Sequence, residues 1–319
     1  TFCNYYDYFN TVLLNAVLVT KSWHKLSNFS TNPQYIKAFF VGLMDGDGSI
    51  QVNHWRKSSL QFRVVIKLVY LPANYRMLNR IAKVIGGRVI IESSGEFVKW
   101  VVDDNNVIFN LVNIFDQYPP LTTRLRCQLA FLKSCLVLQG TPASNVSWML
   151  QNREHKYKHV YITPSPQQLN NAAQNNHSYL LAWISGFIEA VGCFTVRESS
   201  SGVLSFSIGQ NNDQHILVFL KLFFQANYNV RSGSSKRPLG APATKRGLRS
   251  PHHQVGLGSG SSKLPLRLVN TKNQNYFYLF ETASRCSLMA ICSHLQKFPL
   301  LGAKKDSFSL FLNRFNKTK

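Results

Sequence analysis

Tyr35-Ile-Lys-Ala-Phe-Phe-Val-Gly-Leu-Met-Asp-Gly-Asp-Gly48 and Tyr179-Leu-Leu-Ala-Trp-Ile-Ser-Gly-Phe-Ile-Glu-Ala-Val-Gly192 are two copies of one pattern, in step at an offset of 144 residues. A second pair follows: Tyr118-Pro-Pro-Leu-Thr-Thr-Arg-Leu-Arg126 with Phe131-Leu-Lys133, and Phe298-Pro-Leu-Leu-Gly-Ala-Lys-Lys305 with Phe311. The chain is therefore a duplication, and any fold must be built twice. Asp47 to Pro120 is 73 positions and Val191 to Pro299 is 108, so the second copy holds about 35 more residues. The surplus is expected at about 231–263, a Ser/Gly-rich run without acids that carries Arg231, Lys236, Arg237, Lys245, Arg246, Arg249 and Lys263. Its composition is that of a cationic loop.

On the first repeated segment Ala38, Gly42 and Gly46 fall four residues apart, and on the second Ala182, Gly186 and Ala190 do the same. In helices these positions share one face. Two such stripes let backbones touch, so the segments are expected to pair at a pseudo-twofold axis joining the halves. Asp45 and Glu189, near the helix ends, are expected to accept from backbone donors rather than to do chemistry.

Within each copy the pattern reads helix, strands, helix, helix. Asn32 as cap and Pro33 in the first turn open a helix to about Asp45. Ser49 to Asn53 and Leu60 to Tyr70 alternate as a hairpin, with Phe62, Val64, Ile66 and Leu68 on one side and Gln61, Arg63 and Lys67 on the other. One sheet face can then be core while the other grips a charged partner. Strands are expected at 87–91 and 97–103 and a helix at 105–115. The second copy repeats this with strands at 193–197, 203–209, 266–270 and 275–281, then a helix over 283–298. The organisation is an extension (1–34), a first repeat (35–136), a linker (137–178) and a second repeat (179–319). The linker, rich in Asn, Gln, Pro, Ser and His from Gly140 to Asn176, is expected to wrap rather than pack.

The 319 residues are 45% hydrophobic and 13% aromatic, which excludes a disordered chain. Thirty-six Lys and Arg against 14 Asp and Glu leave a formal charge of +22, best tolerated beside a polyanion. The apolar stretch from Val12 to Val19 is interrupted by Asn15 and falls short of the roughly 20 residues of a membrane span, so the expected partner is nucleic acid. Cys3, Cys127, Cys135, Cys193, Cys286 and Cys292 form no Cys-x-x-Cys pair and read as buried thiols. His155 and His159, four apart, lack a third ligand for zinc. His252 and His253 lie in the basic run, and the aromatic residues Phe2, Tyr5, Tyr6, Tyr8 and Phe9 suit docking on protein or stacking on bases. A first residue that is Thr1 leads to the expectation of a removed presequence or a fused reading frame upstream.

With its two nonapeptides, Phe40 to Gly48 and Ile184 to Gly192, the sequence resembles the LAGLIDADG homing endonuclease and maturase family in its single-chain, double-motif form. The resemblance spans about 35–136 and 179–312. It implies an α+β fold of two αββαββα units whose antiparallel four-stranded sheets make a saddle for nucleic acid, with the signature helices at the centre. The family includes enzymes that cut DNA and maturases that assist intron splicing. Its metal-binding acid is the eighth signature residue, which is Asp47 in the first copy and Val191 in the second. Valine cannot ligate a cation, and loss of one charge-stabilising group typically costs roughly 100-fold in rate.

These features lead to the expectation of a cleavage-impaired RNA-binding factor in an organelle, the mitochondrion before the chloroplast. It would be an intron maturase or a component of a ribonucleoprotein such as the mitochondrial ribosome, with ribosomal proteins as neighbours in that case. The alternative is a metal-dependent, site-specific endonuclease or nickase on double-stranded DNA, retaining Asp47 as its acid and weak metal ligand. Binding needs no cofactor, and any remaining cleavage needs Mg²⁺. Arg124, Arg126, Lys304 and Lys305 are read as phosphate contacts, or as the basic groups the family places near the reacting phosphate. No membrane partner is expected, and no homodimer, since the fold is internally duplicated.

Overall fold

The computed structural model describes residues 31–158, 163–175, 177–196, 203–227, 230–234 and 276–317. The first unit runs α1 (Pro33–Asp47), β1 (Gly48–Trp55), β2 (Ser59–Val69), α2 (Pro72–Ile85), β3 (Arg88–Ile91), β4 (Phe97–Val102), α3 (Asn105–Gln117) and α4 (Thr123–Leu136). Two linker helices follow, α5 (Pro142–Asn152) and α6 (Pro166–Gln174). The second unit is α7 (Ser178–Val191), β5 (Gly192–Val196), β6 (Leu204–Asn211), α8 (Gln214–Phe223), β7 (Arg231–Ser234), β8 (Tyr276–Thr282), α9 (Arg285–Lys297) and α10 (Lys304–Lys317).

Each unit forms an antiparallel four-stranded sheet, ordered β1-β2-β4-β3 and β5-β6-β8-β7. The matching orders make the fold α+β with internal duplication. Gly48 pairs with Ile66 at one end of the first hairpin and Trp55 with Ser59 at the other, a register that sends Val64 and Ile66 into the core. Gln61, Arg63 and Lys67 stay exposed on the opposite face. The helices cover the apolar faces. Trp100 of β4 is fully buried against the ring of Phe40, and its indole donates to the Gly86 carbonyl at 2.9 Å, so a large apolar surface is buried without an orphaned donor.

Helix ends follow the residue chemistry at their caps. The Asn32 side chain accepts from Gln34 N at 2.9 Å and Asp104 from Val107 N at 3.0 Å, each satisfying a donor the helix cannot. α1 is buried over most of its length, as is α7, because the two pack on each other at the centre of the molecule.

Several expectations are corrected. The linker packs: Val146, Met149, Leu169 and Ala173 are buried, and α6 starts with a full capping box between Ser165 and Gln168. The segment beginning at 231 opens as a strand, since Arg231 to Ser234 fills the edge beside β8 with Arg231 opposite Leu279. The strand expected at 266–270 lies outside the described residues. Helices α2 and α8 follow the second strand of each copy along the chain, as the αββαββα order implied by the resemblance has it and the simpler order of helix, strands, helix, helix does not. Of the cysteines, Cys127, Cys135 and Cys292 are buried, but Cys193 and Cys286 are exposed, Cys193 because it lies on the face of β5 turned away from the core. No described helix is long and apolar enough to cross a membrane.

Candidate functional site

The site forms where α1 and α7 end together. A Cβ added to Gly42 would lie 2.8 Å from Phe187 N, and one on Gly186 would lie 2.8 Å from the Phe39 carbonyl carbon, so each glycine admits the opposing backbone. Gly46 faces Ala190 in the same way, and Ala38 and Ala182 are fully buried on their helices. Backbone contact at this range leaves both helices one relative position, which fixes the spacing of their ends.

Asp45 and Glu189 are structural acceptors. Asp45 takes bonds from Leu121 N at 2.9 Å, Thr122 N at 3.0 Å, the Thr122 hydroxyl at 2.5 Å and, from the other half, Trp183 Nε1 at 2.7 Å. Burial pushes its carboxyl up to about 6 against the lowering effect of those donors. Glu189 accepts from Gly302 N and Lys304 N, both at 3.0 Å, and burial raises its carboxyl too. In this way each signature helix holds the start of the helix carrying the next basic residue.

Those basic residues turn back onto the signature helices. Arg124 donates to Gly48 O at 2.5 Å, to Asp45 O at 2.8 Å and to Met44 O at 3.1 Å, and Lys304 Nζ donates to Ala190 O at 2.6 Å. Cations bonded to terminal carbonyls complement the negative end of a helix dipole. Arg124 and Lys304 are therefore built onto the ends of the signature helices. Lys305 is exposed on α10, whereas Arg126 is half-buried on α4 near Cys127 and His215.

Asp47 is open to solvent at the end of α1. Protein crowding on its other sides still displaces enough water to push its carboxyl up to about 6; Lys304 and Arg124 oppose this and Glu189 adds to it. At the matching end of α7, Val191 is half-buried and packs against the core. A pair of shared divalent ions calls for a carboxylate from each helix end, and at this position the second end offers a valine. Among the described residues no group of three or more His, Cys, Asp or Glu can hold a metal ion. The residues do not fit a two-sided metal centre.

The first sheet carries more cations than the sequence reading singled out. Lys67 and Lys99 converge on Glu92, Lys67 at 2.8 Å, and Arg88 forms a bidentate pair with Asp103 at 2.6 Å. Such exposed pairs are weak and exchange readily for phosphate. Arg231 lies 3.9 Å from Glu281 on the second sheet. Lys236, Arg237, Lys245, Arg246, Arg249 and Lys263 lie outside the described residues, as do His159, His252, His253 and the aromatic residues of the first ten positions.

The halves also cap one another, which sequence reasoning missed. Asp213, just ahead of α8, accepts from Thr123 N at 2.9 Å and from the Thr123 hydroxyl at 2.6 Å, while Asn74 of α2 accepts from Ala303 N at 2.9 Å. Tyr35 donates to Pro299 O at 2.7 Å, and Tyr179 likewise to Pro119 O. The signal available was only that Asp213 and Asn74 stand at helix starts.

A family model described as LAGLIDADG endonuclease matches residues 40–135. A probable intron-encoded endonuclease aI3 of Debaryomyces hansenii is 36% identical over 312 residues, covering 91% of this chain, which itself spans 39% of that relative. Its counterpart in Dictyostelium citrinum is 32% identical over 295 residues, covering 91% of this chain and 100% of the relative. Among solved structures, the I-LtrWI LAGLIDADG homing endonuclease bound to target DNA superimposes with a TM-score of 0.55 at 17% identity, over 90% of this chain and 92% of that one. A relative matched along its whole length, the duplicated sheets and the backbone-contact pair of signature helices lead to one assignment: this chain belongs to the LAGLIDADG homing endonuclease and maturase family.

Proposed function

We propose that the chain binds duplex nucleic acid across its two sheets and does not cut both strands. The observation that carries this is Val191 standing where a second carboxylate is called for, with Asp47 at the other helix end. Paired sheets with exposed Gln61 and Arg63, and cations held only by exposed ion pairs, suit phosphate and base-edge contacts. Support for DNA comes from the relatives named endonucleases and from the DNA-bound structural neighbours. A second reading, binding of folded RNA in an organelle as an intron maturase or in a ribonucleoprotein such as the mitochondrial ribosome, is favoured by the charge of +22.

Sequencing of the nucleic acid that copurifies with the protein tests both. Recovery of one duplex DNA site supports the first reading, and recovery of intron or ribosomal RNA the second. A supercoiled plasmid carrying the recovered DNA site should yield no linear product with Mg²⁺. Brisk linearisation that disappears in Asp47→Asn would overturn the proposal.

A further inference from the structure

Helix α2 carries a charge that the fold does not call for. Met77, Leu78, Ile81 and Ile85 turn to the core, while Arg76, Arg80 and Lys83 fall at i, i+4 and i+7 on the exposed side, with Tyr75 at its edge, 37% exposed. The helix holds no acidic residue. None of its three cations belongs to an ion pair among the described residues, whereas Lys67, Lys99 and Arg88 of the first sheet are each tied to a carboxylate. Like charges at these helical spacings repel one another, so the face weakens the helix that bears it. The second copy supplies the comparison. There α8 holds the matching place after the second strand with a single Lys or Arg, Lys221; its Ile216, Leu217, Phe219 and Leu220 are buried, and α6 packs against it. An apolar helix thus satisfies the architecture at this place, and the cationic face belongs to the first copy alone.

We infer that the exposed side of α2 is a second nucleic-acid site, which binds the backbone of a single-stranded RNA segment while the sheets hold a duplex. The inference rests on the nucleic-acid reading above and adds a separate surface to it. The buried side of α2 shares one core with Val64, Val98 and Trp100 of the first sheet, whose opposite face presents Arg63 and Lys67. The two sets of cations therefore lie on opposite sides of that core. Arg76 to Lys83 spans about 10 Å of helix at ~1.5 Å per residue, enough for several phosphates of one strand. Tyr75 beside them offers a ring on which an unpaired base can stack, a contact that bases paired within a duplex do not make.

The test saturates the protein with a random-sequence DNA duplex and then titrates it with a labelled, random-sequence single-stranded RNA at several salt concentrations. RNA should add without displacing the duplex. In the triple variant Arg76→Gln, Arg80→Gln, Lys83→Gln the log–log salt dependence of RNA binding should flatten by about 2, at ~0.7 per lost phosphate contact, while that of the duplex stays as it was. A control variant, Lys297→Gln, Arg314→Gln, Lys317→Gln, removes the same charge from exposed positions of the second copy and should leave the RNA slope unchanged. Gln is close to Arg and Lys in helix propensity, so both variants should melt with the unaltered protein. An unchanged RNA slope in the α2 variant, an equal flattening in the control, or displacement of the duplex by RNA would each overturn the second site. Absence of salt-dependent binding of either nucleic acid by the unaltered protein would instead overturn the function reading on which it rests.

Discussion

The indole of Trp183 donates its N–H to the Asp45 carboxylate across the seam between the halves, at 2.7 Å. Both side chains are fully buried, so the bond cannot be replaced by water when it is lost. Trp183→Phe should therefore destabilise the protein by about 1–3 kcal/mol, chiefly by leaving a carboxylate lone pair unfilled. Equilibrium unfolding in urea measures this, and a change below about 0.5 kcal/mol would show that the bond contributes nothing net.

Gly42→Ala and Gly186→Ala each force a methyl group into the backbone of the opposing helix. Since neither helix can retreat without opening the other half, a loss of about 3 kcal/mol or more is expected for each. The denaturation midpoint reports it. A nearly unchanged midpoint would mean that the helices can slide.

His294 gives a pH dependence with a definite sign. Its ring is buried among Phe223, Phe224 and Phe298, it meets Ser185 Oγ at 3.1 Å, and burial is the largest cause pushing it down to about 3. Below its ordinary value of 6.5 the unfolded chain takes up a proton that the folded one refuses, so this contribution is complete above 6.5 and falls away towards 3. Relative to His294→Gln, the native protein should lose up to about 1.4 kcal/mol per pH unit across that window. Parallel stability curves for the two proteins would contradict this.

Val191→Asp should bring a second carboxylate to the paired helix ends. Like charge disfavours ionisation, so Asp47 should titrate above its present value near 6. Carbon-detected NMR of the Asp47 carboxyl follows the change. An unmoved Asp47 would mean that the two positions do not share one hollow, and cleavage of both strands by this variant should recover only in part.

How far the sequence foreshadows the structure depends on the range of the interactions involved. The 144-residue offset and the alternation along β2 are local patterns, and both translate directly into matching sheets and a two-faced strand. Helix α2, implied by the αββαββα order, is also legible in its own residues: Pro72 begins it, and Met77, Leu78, Ile81 and Ile85 recur at helical spacing. The linker helices likewise announce themselves through Pro142 and the Ser165 capping box, signals outweighed by a polar composition. The role of Arg124 was hidden for another reason. Its partners are carbonyls 76 to 80 residues away, and a basic side chain next to a helix start gives no sign of which backbone it will meet. Asp213 and Thr123 are 90 residues apart and belong to different copies, so no repeat comparison aligns them.

The reciprocal caps made by Asp213 and Asn74 have a consequence for assembly. Neither copy owns all the acceptors its own C-terminal helix requires, so each finishes its neighbour. Two separate polypeptides, divided between Lys158 and Thr163, should reach the native state only by meeting. Their refolding should then depend on concentration, whereas that of the continuous chain should not, because the tether makes the encounter intramolecular. The covalent join thus acts as a kinetic device, turning an encounter between two molecules into a closure within one.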